Sequence, residues 1–216
     1  MKNLSAEKVQ IVVTCRFVRP WLFTRDELIA ISKTFLEEYT SFTMLGSSFL
    51  RTEDPFESLL NISLFNEAAT IQVTPTNFVV DFSQMSTEGH LGVFSRTLEF
   101  VQGHFSDKEI SDVEWKGYVQ AKFDDKADHS AFMKEFIVSD EIVSGGFIVE
   151  GHGIENSKSV RIGVEQSWGI KEGLFISLAS RINRSLKKDD LDLYRARVDA
   201  ILQSKGLLLK IPSDKT

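Results

Sequence analysis

The chain of 216 residues has one cysteine, four prolines and no excess of positive charge. A single cysteine excludes an internal disulfide and a cysteine zinc cluster, and it fits a reducing compartment. Four prolines and 13 glycines leave little material for a disordered linker. No run of about 18 uncharged apolar residues is present, and the polar start from Met1 to Gln10 has no apolar h-region. Neither membrane spanning nor export is expected, and the location read from the sequence is cytoplasmic. With 31 acidic residues against 25 basic ones, the net charge of −6 lacks the basic surplus that phosphate neutralisation demands. Nucleic acid binding is disfavoured.

What the chain does have is ordinary globular material, 42% hydrophobic and 26% charged, with a surplus of phenylalanine at 17 residues. Most of these phenylalanines fall on the inward phase of a periodic segment, which makes them core filling. The clearest element is a helix between Ser86 and Phe105, where Leu91, Phe94, Leu98, Val101 and Phe105 form one apolar stripe at steps of three and four. Leu191, Tyr194, Val198 and Ile201 repeat the spacing of its first four members about a hundred residues later. Similar strand-like and helix-like segments precede both helices, so the chain reads as two similar halves, 1–106 and 107–216, packed separately or as one continuous domain.

In the first half, Val9, Ile11, Val13, Cys15 and Phe17 alternate with polar residues and predict a strand with one wet face. Cys15, in phase with that stripe, is a small buried hydrophobe. Thr24 with Glu27 forms a capping box before a helix carrying Leu28, Ile31, Phe35 and Tyr39. Residues 41–58 read as a long connection with one short strand. Alternation then predicts strands at Leu60–Leu64, Ile71–Val73 and Phe78–Phe82, and Ser86 or Thr87 caps the long helix. In the second half Val113–Phe123 is a strand, Asp128 caps a shorter helix, and strands follow around Phe147, Ile162 and Ile176. Asp189 or Asp190 caps the second long helix, Gly206 ends it, and Leu207–Ile211 is a closing strand. The fold class is α+β: antiparallel sheets with helices on one face, joined edge to edge so that two exposed strand edges disappear.

Chemistry is sparsely marked. The chain has no Gly-x-Ser-x-Gly elbow and no glycine-rich phosphate loop, and its four histidines, His90, His104, His129 and His152, show no paired ligand spacing. No catalytic residue, metal site or cofactor is expected. Glu88-Gly89-His90 recurs as Glu150-Gly151-His152, and His152, between two glycines that let a loop approach a ligand, is the better candidate of the two; a simple turn is the better explanation of those glycines. Glu53, Asp54 and Glu57 form an acidic cluster without a calcium-loop pattern. Arg181, Arg184, Lys187 and Lys188 concentrate positive charge before the second long helix, either as a solvated connection or as a patch for an acidic partner. Trp115 is inward on its strand, whereas Trp21 and Trp168 lie at element ends, where amphipathic rings often serve an interface.

From Thr70 to Phe82 the sequence TIQVTPTNFVVDF resembles a widespread, sporadically distributed and uncharacterised bacterial protein family of about this length. The likeness spans Leu60 to Phe123, and Arg181-Ile182-Asn183-Arg184 is similar to a short signature of that family. The resemblance implies no activity. Three functional readings follow from the residues. The first is a non-enzymatic protein that binds a protein partner or itself, as a homodimer, through a sheet edge or an aromatic surface with Trp21, Trp168, Arg181 and Arg184 as interface candidates. The second is a binder of a small apolar ligand, which predicts a Phe-lined cavity between the sheet and the long helices. The third is an enzyme built from scattered His, Asp and Arg.

Overall fold

The computed structural model describes residues 1–39, 46–50, 59–136, 145–151, 160–185, 187 and 189–214. Within them the chain runs β1 (Lys2–Phe17), α1 (Arg25–Glu38), β2 (Gly46–Leu50), β3 (Leu59–Leu64), β4 (Ala69–Val73), β5 (Asn77–Met85) and α2 (Glu88–His104). It continues as β6 (Ile110–Phe123), α3 (Lys126–Lys134), β7 (Gly146–Gly151), β8 (Val160–Gln166), β9 (Gly173–Ile182), α4 (Asp190–Ser204) and β10 (Leu207–Lys210). The protein is α+β. Nine strands make one antiparallel sheet in the order β2-β3-β4-β5-β1-β6-β9-β8-β7, and β10 adds to the start of β1 in parallel.

The register places every inward stripe on the same face. Val13 of β1 stands opposite Val80 of β5 on one side and Trp115 of β6 on the other, while Ile176 of β9 stands between Val119 of β6 and Val164 of β8. That face carries the core. Leu28, Ile31 and Phe35 of α1, Leu91, Phe94 and Val101 of α2, and Leu191 and Tyr194 of α4 pack against β1, β3, β4, β5 and β6, and Phe132 and Met133 of α3 with Ile201 and Leu202 of α4 cover β8 and β9. The opposite face is the more polar one, although Val12, Val79 and the stacked pair Tyr118 and Phe175 also lie on it. It carries an ion-pair seam in which Arg16 reaches Asp112 and Glu114, each at 2.6 Å, and Arg181 reaches Asp112 at 2.9 Å. Burial pushes the Asp112 carboxyl up, but hydrogen bonds from Arg181, Arg16 and Ser111 outweigh it and hold the group below its ordinary value.

Local chemistry fixes the ends of the elements. The Thr24 hydroxyl accepts from the Glu27 N–H at 3.2 Å and the Glu27 carboxylate accepts from the Thr24 N–H at 2.7 Å, so the capping box forms as expected. Thr87, rather than Ser86, caps α2 by accepting from the His90 N–H. The cap of α3 is Asp125, not Asp128: its carboxylate takes the Ala127 N–H at 2.8 Å, and Asp128 is the third residue of the helix, in its first turn, where an acid faces the positive end of the helix dipole. Gly206 follows α4 with φ of 72°, a left-handed position that glycine adopts without steric cost.

Cys15 is fully buried, and burial pushes its thiol up to about 12, with Asp112 adding to the rise. It is core, as its phase in β1 predicts.

Candidate functional site

A cavity of about 300 Å³ lies between the sheet and the helical layer. Its floor comes from the inward face of three neighbouring strands: Val9 and Ile11 of β1, Trp115, Gly117 and Val119 of β6, and Ile176 and Leu178 of β9. Its roof is Leu91 of α2 with Leu191, Tyr194 and Val198 of α4, and Leu209 and Ile211 close one side. On that floor β6 has no side chain at one place in its stripe, and Leu178 of β9 leans into the gap. Gly117 sits between Trp115 and Val119 on the inward phase, opposite Ile11 and Leu178. A Cβ there would stand 3.1 Å from Leu178 Cδ2, the far end of a flexible side chain.

Two aromatic residues shape the wall. Trp115 is 1% exposed, its ring 5.3 Å from that of Tyr194 and 6.4 Å from that of Phe94. The Tyr194 hydroxyl donates to the Trp115 carbonyl oxygen at 3.4 Å, and burial pushes the phenol above its ordinary value, so it stays neutral. The Trp115 indole Nε1 has no hydrogen-bond partner among the described residues, a costly state for a buried donor. Among the described residues no phenylalanine lines the cavity, contrary to the expectation of a Phe-lined space. The phenylalanines pack elsewhere in the core, as in the cluster of Phe17, Phe78 and Phe105, whose ring centroids lie 5.1–6.1 Å apart.

Charge gathers where the lining reaches solvent. Glu88, the first residue of α2, pairs with Arg195 of α4 at 2.7 Å, their side chains 44% and 39% exposed. Asp199, one turn further along α4, lines the same cavity, as does Lys210 of β10. Hydrophobic walls with a few polar groups at one end are the general form of a small-molecule site. No family model and no curated protein matches this chain.

The residues singled out in the sequence do not meet at this cavity. Trp21 packs among Phe17, Phe23 and Phe105, with the Lys108 ammonium 3.9 Å from its ring centroid. Trp168, in the turn between β8 and β9, is 83% exposed. Arg181 belongs to the seam on the polar face, and Arg184 holds Asp190 by two hydrogen bonds of 2.9 and 2.7 Å at the start of α4. The basic concentration before α4 is therefore largely structural in what is described. His152, Lys188 and the cluster of Glu53, Asp54 and Glu57 lie outside the described residues. No group of three metal-ligating side chains occurs among the described residues, and no described helix is long and apolar enough to cross a membrane.

Glu88, Asp199 and Gly117 are what sequence reasoning passed over. Glu88 lies in the repeated Glu-Gly-His, with an importance unrelated to histidine. Gly117 carried a readable signal: a glycine on the buried phase of a long central strand marks a place where something else approaches closely.

Proposed function

We propose that this chain is a cytoplasmic binding protein for a small, largely apolar ligand held between the sheet and α2 and α4. The observation that carries this reading is the cavity itself: about 300 Å³, walled by aliphatic side chains, Trp115 and Tyr194, with its charged residues gathered at one end. Such a volume holds a body of roughly ten non-hydrogen atoms, taking about 30 Å³ for each as for a water molecule in the liquid. The order of elements further supports a tandem duplication, in which β1-α1-β3-β4-β5-α2 corresponds to β6-α3-β7-β8-β9-α4. The cavity then lies across the junction of the two repeats.

Octanol, neutral and of suitable length, is the test ligand, followed by nitrogen–proton NMR on the three tryptophan indoles. Titration is expected to move the Trp115 resonance and leave that of Trp168 in place. Gly117→Val, which puts a side chain into the cavity, should fold and lose the response. An unmoved Trp115 signal, or an undiminished response in the Gly117→Val protein, would overturn the reading.

A second reading, self-association as a homodimer, is favoured by Trp168 and Ile148, 83% and 61% exposed at the β7–β8–β9 end of the sheet. Native mass spectrometry at micromolar concentration decides it. A dimer that Trp168→Ala dissociates would support this reading, and a monomer would sink it.

A further inference from the structure

Asp199 is a half-buried carboxylate at the cavity wall that makes no hydrogen bond and no ion pair among the described residues. The other charges that face the cavity come from each element around its polar end: Glu88 from α2, Arg195 from α4 and Lys210 from β10. Arg195 is engaged by Glu88 at 2.7 Å, and Lys210 is exposed, its ammonium already hydrated. An anionic ligand would therefore have to break an existing pair or strip water from a solvated cation. A cationic ligand meets an acid that is partly desolvated and unmatched.

We infer that the ligand is an apolar amine, its hydrocarbon or aromatic body filling the cavity and its ammonium nitrogen paired with Asp199. This rests on the ligand-binding reading above and narrows it to one chemical class. The ammonium donates to the Asp199 carboxylate, while the body lies against Val9, Val119, Leu178 and Val198, and Glu88 remains with Arg195. Burial, the largest influence, pushes the Asp199 carboxyl above its usual range; Arg195 pulls it down and Glu88 adds to the rise. A bound cation reverses that balance, so amine binding and Asp199 ionisation favour one another.

Octylamine, octanol and octanoate, compared on the intact protein by calorimetry at neutral pH, separate the possibilities. Octylamine is expected to bind about tenfold more tightly than octanol, a ratio in keeping with one charge-assisted hydrogen bond near a protein surface, and octanoate most weakly. Asp199→Asn should bring octylamine down to the level that octanol shows on the same variant. In the unaltered protein, octylamine affinity should fall as the pH drops and Asp199 takes up a proton, with octanol affinity flat over the same range. Octanol or octanoate binding as tightly as octylamine, or a preference for octylamine that survives in both the variant and the acid range, would overturn the amine assignment while keeping the cavity. Failure of all three probes would overturn the ligand-binding reading itself.

Discussion

Replacing Trp115 with alanine is expected to lower the free energy of unfolding by about 3–5 kcal/mol, the range for truncating a fully buried tryptophan. The side chain is 1% exposed and wedged between Phe94 of α2 and Tyr194 of α4. The void left behind would merge with the existing cavity, and the strands that hold its floor cannot close over it, since their hydrogen-bonded spacing is fixed. Trp115→Phe keeps most of the volume and also removes the unpartnered indole donor. Its cost should stay near 1 kcal/mol. Urea unfolding of the two variants checks the pair, and a Trp115→Ala protein within 1 kcal/mol of the parent would show that this wall is not core.

Arg184→Ala is expected to cost about 3 kcal/mol for a different reason, the stranding of a buried acid. Asp190 is 1% exposed and accepts from both terminal nitrogens of Arg184 and from the Lys187 N–H at 2.8 Å. Removing the guanidinium leaves that carboxylate, among the described residues, with the Lys187 N–H as its donor in a site that water barely reaches. The double variant Arg184→Ala with Asp190→Ala should recover part of the loss, because no unpaired charge then remains. Chemical denaturation of both proteins gives the comparison. A double variant less stable than Arg184→Ala alone would mean that Asp190 matters for capping α4 rather than for charge.

The inward stripes and the caps of α1 and α2 were the legible part of this fold, whereas the expected cap of α4 makes no side-chain hydrogen bond; β1 shows why legibility stops where it does. Val9, Val13, Cys15 and Phe17 keep one phase, but Leu4 and Ala6, equally buried, keep the other. The register against β6 slips between Ala6 and Lys8, so one extra residue in β1 turns the chain over. A period of two carried back from Val9 therefore puts Leu4 and Ala6 on the wrong face, and the strand reads as beginning seven residues late. α3 was misplaced by three residues because Asp125 and Asp128 have the same capping chemistry, and only the path of the chain after Phe123 selects between them. The site was less legible than the fold. Glu88, Asp199 and Gly117 are far apart in sequence, and none belongs to a spacing that chemistry requires. They converge only because β1 and β6 pair at the centre of the sheet and bring α2 and α4 to the same stretch of its surface.

That central pairing also sets a timetable for the chain as it is made. β1 pairs along almost its whole length with β6, from Leu4 against Phe123 to Phe17 against Ile110, partners about a hundred residues apart. At roughly 5–20 residues per second, some 5–20 s pass between the synthesis of β1 and that of its partner. β5 can shelter one edge of β1 during that interval; the other edge remains a bare row of donors and acceptors. The growing polypeptide is thus most open to pairing with a neighbour while its centre is already built and its second half is still on the ribosome. A fragment ending before Ile110 would carry the longest strand of the sheet into solution with that edge uncovered.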